Sequence, residues 1–327
     1  MIKVSVYVPE SSVIESITPP YRVFNSANDF LLSMEQEPLF DVEFVGLTEH
    51  VKVLDGEYTV TVKRLLKDVE KTDLVIIPAL FGDMATAVAR NNEAIPYIKE
   101  LHKKGASVVS LCLGAFLLGA TGLINGKRCS THWAYYNEFR NMYKEVQIVD
   151  GAIITDEGSI YSSGGANSIW NLLLYILEKY TNREMAILVA KFFAIDIDRD
   201  SQNAFAIFRG QKAHMDEAIQ KAQEYIEKNI EERISIDELA DLVAVSRRSF
   251  ERRFKQATNN SVLEYIHRIK IEAAKRSFEK SRKNINEVMY DVGYTDTKAF
   301  RTTFKKIKGL TPIAYRNKYN SMSVMAN

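Results

Sequence analysis

Cys112 stands where an apolar run, Val108-Val109-Ser110-Leu111, turns directly into Leu113-Gly114-Ala115-Phe116-Leu117-Leu118. A strand feeding a helix through a single cysteine would present the thiol at a helix N-terminus, where the aligned peptide dipoles favour the thiolate. Twenty residues on, Ser130-Thr131-His132-Trp133 supplies an imidazole able to pair with it, and Gly164-Gly165 marks another tight strand end. On these residues alone two readings stand level: a reactive thiol in a cleft, or a small buried hydrophobe beside a structural histidine. A second set of side chains points to different chemistry. Arg247, Arg248, Glu251 and Arg252 share the free face of one amphipathic stretch, and Thr297, Lys298, Arg301 and Thr302 share that of another. Guanidinium, ammonium and hydroxyl groups are the ones that read base edges and grip phosphates. Arg247 is the member expected to touch phosphate alone.

The elements that would carry this second set are repeated. Phe250 and Phe254 recur as Phe300 and Phe304, and Ser261 and Tyr265 recur as Thr311 and Tyr315, all at an offset of 50. Each copy reads as a short apolar helix, a tight turn at Ala244 or Gly293, and a second helix opened by a capping Ser246 or Asp296. Two phenylalanines, four and eight residues past the cap, fall on one face and pin that helix to its partner. This is a helix-turn-helix, whose second helix offers its N-terminal residues to the bases. A solvated basic hairpin would explain one copy; two in register argue for DNA. Charge agrees. From Ser246 onward there are 19 Lys and Arg against 7 Asp and Glu, while residues 1 to 245 hold 24 against 35, so a net charge of +1 hides a dipolar chain. A basic region beside an acidic body suits the phosphate backbone.

At 327 residues the chain is long enough for two domains. Residues 2 to 8 alternate in polarity, Leu74 to Pro78 and Ala106 to Leu111 are short apolar runs, and Tyr21 to Met34 and Tyr97 to Lys103 have helical spacing. Apolar strands alternating with helices predict a parallel sheet with helices on both faces, whose ligands bind at the carboxyl ends of the strands. The two cysteines, Cys112 and Cys129, fit a reducing compartment. The start lacks a charged-then-apolar leader and no apolar run has the length of a membrane span, so a cytoplasmic protein with no membrane partner is expected. His50, His102, His132, His214 and His267 are scattered, and neither a metal nor a cofactor is expected.

Residues from about Ile219 to Tyr319 resemble the AraC/XylS-type DNA-binding domain, above all in Ile285 to Tyr315 with Asp291-Val292-Gly293-Tyr294, Phe300, Phe304-Lys305-Lys306 and Gly309-Leu310-Thr311-Pro312. The resemblance implies seven helices, with a bridging helix near Val262 to Phe278 in which Leu263, Ile266, Ile269, Ala273 and Ala274 fall at helical spacing. Two departures stand out: Met289 replaces a small alanine, and Asn259-Asn260-Ser261-Val262 replaces Gly-x-Ser-Pro. The first half is similar to the class I glutamine amidotransferase-like (ThiJ/PfpI and isocyanide hydratase) superfamily, in Cys112-Leu113-Gly114-Ala115-Phe116, Ala120 to Lys127, Thr131-His132-Trp133, and Pro20 with Val23-Phe24. That implies an α/β flavodoxin-like fold. The pair together resembles the GlxA-type regulators, with a sensor domain at 1–195, a linker at 196–216, the DNA-binding domain at 217–320 and a tail at 321–327.

Enzymes of that superfamily keep an acidic side chain beside the cysteine and a glycine pair that donates to an oxyanion. Here the matching positions are Ser16, with Glu15 next to it, and Ala79-Leu80; Leu111 replaces a small residue. Without its acid partner and donor loop a nucleophile loses the arrangement covalent catalysis needs. The expected function is therefore a sequence-specific transcriptional regulator, with Cys112, His132, Ser16, Ala79, Leu80 and Leu113 lining a pocket for an unidentified small effector. Phe81, Trp133 and Trp170 would add aromatic walls suited to a cation. Expected partners are double-stranded DNA, a second copy joined through the first domain, and RNA polymerase as a further candidate. The alternative is a cysteine hydrolase or hydratase with a DNA-binding tail; a nonspecific basic DNA binder is a third, which the paired helices disfavour.

Overall fold

The computed structural model describes residues 1–197, 201–208, 210–212 and 214–320. The chain divides into two compact units, Met1–Gln202 and Asn203–Asn327.

In the first unit every residue of the strand Leu74–Ile77 is fully buried, which requires cover on both faces of its sheet. The sheet has seven strands in the order Ile154–Asp156, Ile160–Ser163, Ser107–Ser110, Leu74–Ile77, Ile2–Tyr7, Phe40–Gly46, Arg64–Leu65. All neighbours pair in parallel except Ile154–Asp156 with Ile160–Ser163. The register sets Val4 opposite Leu74 and Val75 opposite Val108, so apolar side chains stack across strands. Helices Ile14–Ser33, Ser168–Tyr180 and Arg183–Phe192 pack on one another, Met84–Arg90 packs on Gly114–Ala120, and Ala94–Lys103 lies against Ser107–Ser110. This is the α/β flavodoxin-like arrangement. One boundary moves. The sequence starts the first helix at Tyr21, past two prolines, whereas the helix runs from Ile14 straight through Pro19 and Pro20. Burial of Ser16, Ile17, Pro19 and Pro20 holds the early turns in place against the lost backbone donors.

The second unit is all-α, with seven helices among the described residues: Glu217–Lys228, Ile236–Leu242, Arg247–Thr258, Val262–Lys280, Ile285–Asp291, Thr297–Lys308 and Pro312–Tyr319. It holds two small cores in place of one. Phe250, Phe254, Tyr265, Ile266 and Ile269 belong to the first, and Ile271, Ala274, Phe278, Phe300, Phe304 and Tyr315 to the second. The helix Val262–Lys280 thus gives its first half to one core and its second half to the other. Leu263 is 54% exposed, because it falls one residue after the buried Val262 and so about a quarter of a turn round the helix, off the packed face. Asn259 takes the left-handed φ of 57° that Gly309 takes at 74° in the second copy. Ser261 and Glu264 form a full capping box, which replaces the helix start that a proline would have pre-set.

Of the stretch read as a linker, Ser201 and Gln202 bond within the first unit, and Ala206, Phe208 and Gln211 within the second. Asp198 to Asp200 and the tail 321–327 lie outside the described residues.

Candidate functional site

The two repeated helices are built alike from the cap inward. Ser246 accepts from the Ser249 N–H and Asp296 from the Ala299 N–H, satisfying a first-turn donor in each. Phe250 and Phe254 lie 5.6 Å apart at their ring centres, Phe300 and Phe304 5.9 Å. Tyr265 meets Phe254 edge-on at 5.3 Å, and Tyr315 meets Phe304 edge-on at 5.6 Å. The offset of 50 in the sequence is therefore an offset in space as well. With the aromatic face buried, Arg247, Arg248, Glu251, Arg252, Lys298, Arg301 and Thr302 are exposed and Thr297 is half-buried. Arg247 is tied down by Asp237 at 3.0 Å and Glu251 at 3.8 Å. Arg248 and Arg252 form no ion pair among the described residues, which leaves both guanidinium forks open. Sequence reasoning missed Arg253, which holds Asp216 with two hydrogen bonds of 2.9 and 2.6 Å and fixes the cap of Glu217–Lys228. Its helical position, one past Arg252, is the signal that it turns inward. Lys255, Lys305 and Lys306 extend the exposed basic face further along the same helices.

The turn before each recognition helix has φ of 52° at Ala244 and 70° at Gly293. At Gly293 a Cβ would sit 2.4 Å from the Glu231 carbonyl oxygen and 2.6 Å from Lys270 Nζ, so glycine is demanded twice over. Lys270, itself buried, bonds the Glu232 carbonyl at 2.9 Å and faces the ring of Tyr294.

In the first unit, Cys112 occupies the strand-to-helix elbow with a left-handed φ of 53°. Such strain in a non-glycine residue persists only where its surroundings enforce it. Here its N–H donates to Ser163 Oγ at 3.0 Å and its carbonyl accepts from Thr131 Oγ1 at 3.0 Å. Three strand ends thus converge on one residue. Burial opposes the helix dipole here. Burial pushes the Cys112 thiol up to about 11, and the N–H groups of Ala166 and Leu113 offset this only in part. Thiolate, the nucleophilic form, is then scarce at neutral pH.

His132 fills the space over Gly165, where a Cβ would lie 2.4 Å from its Cδ2, and Gly165 precedes the Ala166 whose N–H reaches the thiol. Cys112 and His132 therefore belong to one cluster. The imidazole Nδ1 accepts from the Ala134 N–H at 3.1 Å, and burial lowers the ring's pKa, so Nε2 carries the proton of a neutral ring. Ser16 is buried and committed, donating to the Val13 carbonyl at 2.7 Å and accepting from the Ala79 N–H at 2.9 Å. Glu15 is exposed and Leu80 and Leu113 are buried. Of the aromatic candidates, Trp133 lies tilted against His132 with ring centres 5.3 Å apart, Phe81 is 39% exposed, and Trp170 packs on Phe193.

Residues 3–179 match the DJ-1/PfpI family, more than half of the chain. The chain belongs to the DJ-1/PfpI family. Residues 239–318 match a helix-turn-helix domain, so this family's domain is here joined to a DNA-binding one. The HTH-type transcriptional regulator ArgR of Pseudomonas aeruginosa is 26% identical over 221 residues, covering 67% of either chain. The HTH-type transcriptional regulator GlxA of Rhizobium meliloti is 22% identical over 227 residues, 68% of this chain and 69% of its own. A solved transcriptional regulator protein of Vibrio parahaemolyticus, described as such only provisionally in its name, shares the fold with a TM-score of 0.52 at 21% identity, over 58% of this chain and 98% of its own. This DJ-1/PfpI protein is an AraC-type helix-turn-helix transcriptional regulator. No helix among the described residues is long and apolar enough to cross a membrane.

Proposed function

We propose that the DJ-1/PfpI domain binds a small effector at the strand ends around Cys112 and sets the DNA affinity of the helix-turn-helix domain without converting the effector. The observation that carries this is Ser16. Where an acid would stand, the chain has a hydroxyl already committed on both sides, to the Val13 carbonyl three residues back and to the Ala79 N–H of a distant strand end. The Ala79 N–H, spent on Ser16, is no free donor for an oxyanion. A protonated thiol and a neutral imidazole with Nε2–H give a pocket that hydrogen-bonds a ligand more readily than it attacks one.

On the DNA side, Arg247, Arg248, Glu251 and Arg252 face one major-groove segment and Thr297, Lys298, Arg301 and Thr302 the next, about 34 Å along the duplex. Two copies joined through the first domain would bring four such helices to paired half-sites in the cytoplasm, with RNA polymerase within reach. The effector acts only through its differential affinity for DNA-competent and incompetent arrangements. The experiment first selects an operator from random duplexes. Nitrogenous and amino-acid-like metabolites are then screened by melting shift in the native chain and in Cys112→Ala. A compound that shifts the native protein, loses that shift in Cys112→Ala and alters operator binding supports the reading. Steady product formation from an acyl or isocyanide substrate overturns it in favour of a hydrolase or hydratase.

A further inference from the structure

Gln202 closes the first unit, lies in the polar stretch that the sequence reads as a plain connector, and is 1% exposed. Its amide is saturated. Nε2, with two N–H groups, has three acceptors within hydrogen-bond reach: the Thr131 carbonyl at 2.9 Å, the Ala152 carbonyl at 3.0 Å and the Tyr136 hydroxyl at 2.8 Å. Oε1 accepts from the Gly165 N–H at 3.0 Å and the Trp133 N–H at 3.2 Å. Those partners are not scattered. Thr131 and Trp133 flank His132, and Gly165 lies between the His132 ring and the Ala166 whose N–H reaches the Cys112 thiol. One buried amide therefore clamps the two loops that shape the strand-end pocket.

Four residues further on, the same segment is anchored with equal firmness inside the second unit. The Ala206 carbonyl accepts from Lys308 Nζ at 2.8 Å and Lys275 Nζ at 3.1 Å, both buried around the Glu272 carboxylate. The Phe208 N–H donates to that carboxylate at 3.3 Å, and its ring meets Tyr265 edge-on at 5.3 Å. Lys308 ends the second recognition helix, and Glu272, Lys275 and Tyr265 lie on the helix that serves both cores.

We infer that Gln202 is a latch: its amide holds the His132 and Gly165 loops in one arrangement, and a ligand that moves those loops releases it and pulls on the anchored segment 203–208. The inference rests on the proposed effector pocket and adds the residue that reports its occupancy. A buried amide stripped of its partners cannot stay where it is, because unsatisfied polar groups cost far more than rearrangement. The device is thus two-state, held or released, and the tether to the second unit is only a few residues long.

The test uses the full chain, with iodoacetamide at Cys112 as the covalent stand-in for an occupied pocket. Gln202→Ala should raise the rate of Cys112 alkylation, and the hydrogen exchange of segment 203–208, at least about fivefold. Gln202→Glu, which keeps the size but loses the donors to Thr131 and Ala152, should do the same if the alanine variant fails to fold. Unchanged exchange at 203–208 in a folded variant overturns the latch. Separately, alkylation should shift the native protein's affinity for its selected operator at least about fivefold, within the usual range of coupling between sites, and less than twofold in the Gln202 variants. An equal shift in the variants also overturns the latch. No shift in the native protein, with the exchange response present, instead overturns the effector reading and leaves the clamp standing.

Discussion

The two helix-turn-helix units share a scaffold and differ in what they offer outward. Phenylalanines, capping residues and the tyrosine behind them coincide at an offset of 50, and both outward faces are open. On the first face stand three arginines, one of them held by Asp237; on the second stand two threonines, a lysine and an arginine. The interior differs as well. The first turn tolerates alanine at φ 52°, whereas the second is so tightly set against Glu231 and Lys270 that only glycine fits. Thr258 caps its own helix end where the second unit buries Lys308 against Glu272. The two units share the packing that aims the helix and differ in their outward surface, since packing constrains one face of a helix and leaves the other free.

The strongest way to break this comparison is to remove an aromatic anchor. Phe254→Ala and Phe304→Ala should each cost about 3–5 kcal/mol in denaturant unfolding of the full chain. The two costs should be similar, since both rings are fully buried with matching neighbours. A loss confined to one variant would end the equivalence of the scaffolds. The turns should then separate the units. Gly293→Ala should destabilise by about 2 kcal/mol or more, from the left-handed backbone together with the clash on Glu231. Ala244→Gly should fall within about 1 kcal/mol of neutral, because relief of strain and added chain entropy oppose each other. Equal thermal shifts for both would mean that the crowding at Gly293 is not decisive.

The reading faces should show the smaller, sharper difference. Arg252→Ala should weaken binding to the selected operator by about 1–3 kcal/mol and relax one base position, the range for a lost bidentate contact. Thr302→Ala should cost less on the operator. Neither should change affinity for random duplex by the same factor; titrations against both DNAs decide this. Loss of equal size on the two DNAs would assign Arg252 to phosphate alone, leaving only its contribution to the salt slope.

Much of the second unit was legible because its signals are local. Cap residues, paired phenylalanines and the repeat fix helix ends and buried faces over a few residues each. The exposure of the recognition faces followed, while spacing alone did not settle that Leu263 points outward, since one position on a helix turns a side chain by about a quarter of the circle. The proposed pocket was legible only in its members. Cys112 and His132 share a cluster as their strand-end positions imply. Yet the burial that raises the thiol, and the bonds that occupy Ser16 and Ala79, come from residues scattered between positions 13 and 166.

By itself the chain determined the classes of its two halves and the face that each repeated helix turns outward, because periodicity and capping act between near neighbours. Only the tertiary structure decided the protonation of Cys112, the commitment of Ser16 and the burial of Gln202. Each depends on desolvation and on hydrogen-bond partners up to 71 residues apart in sequence, and no local pattern encodes who those partners are.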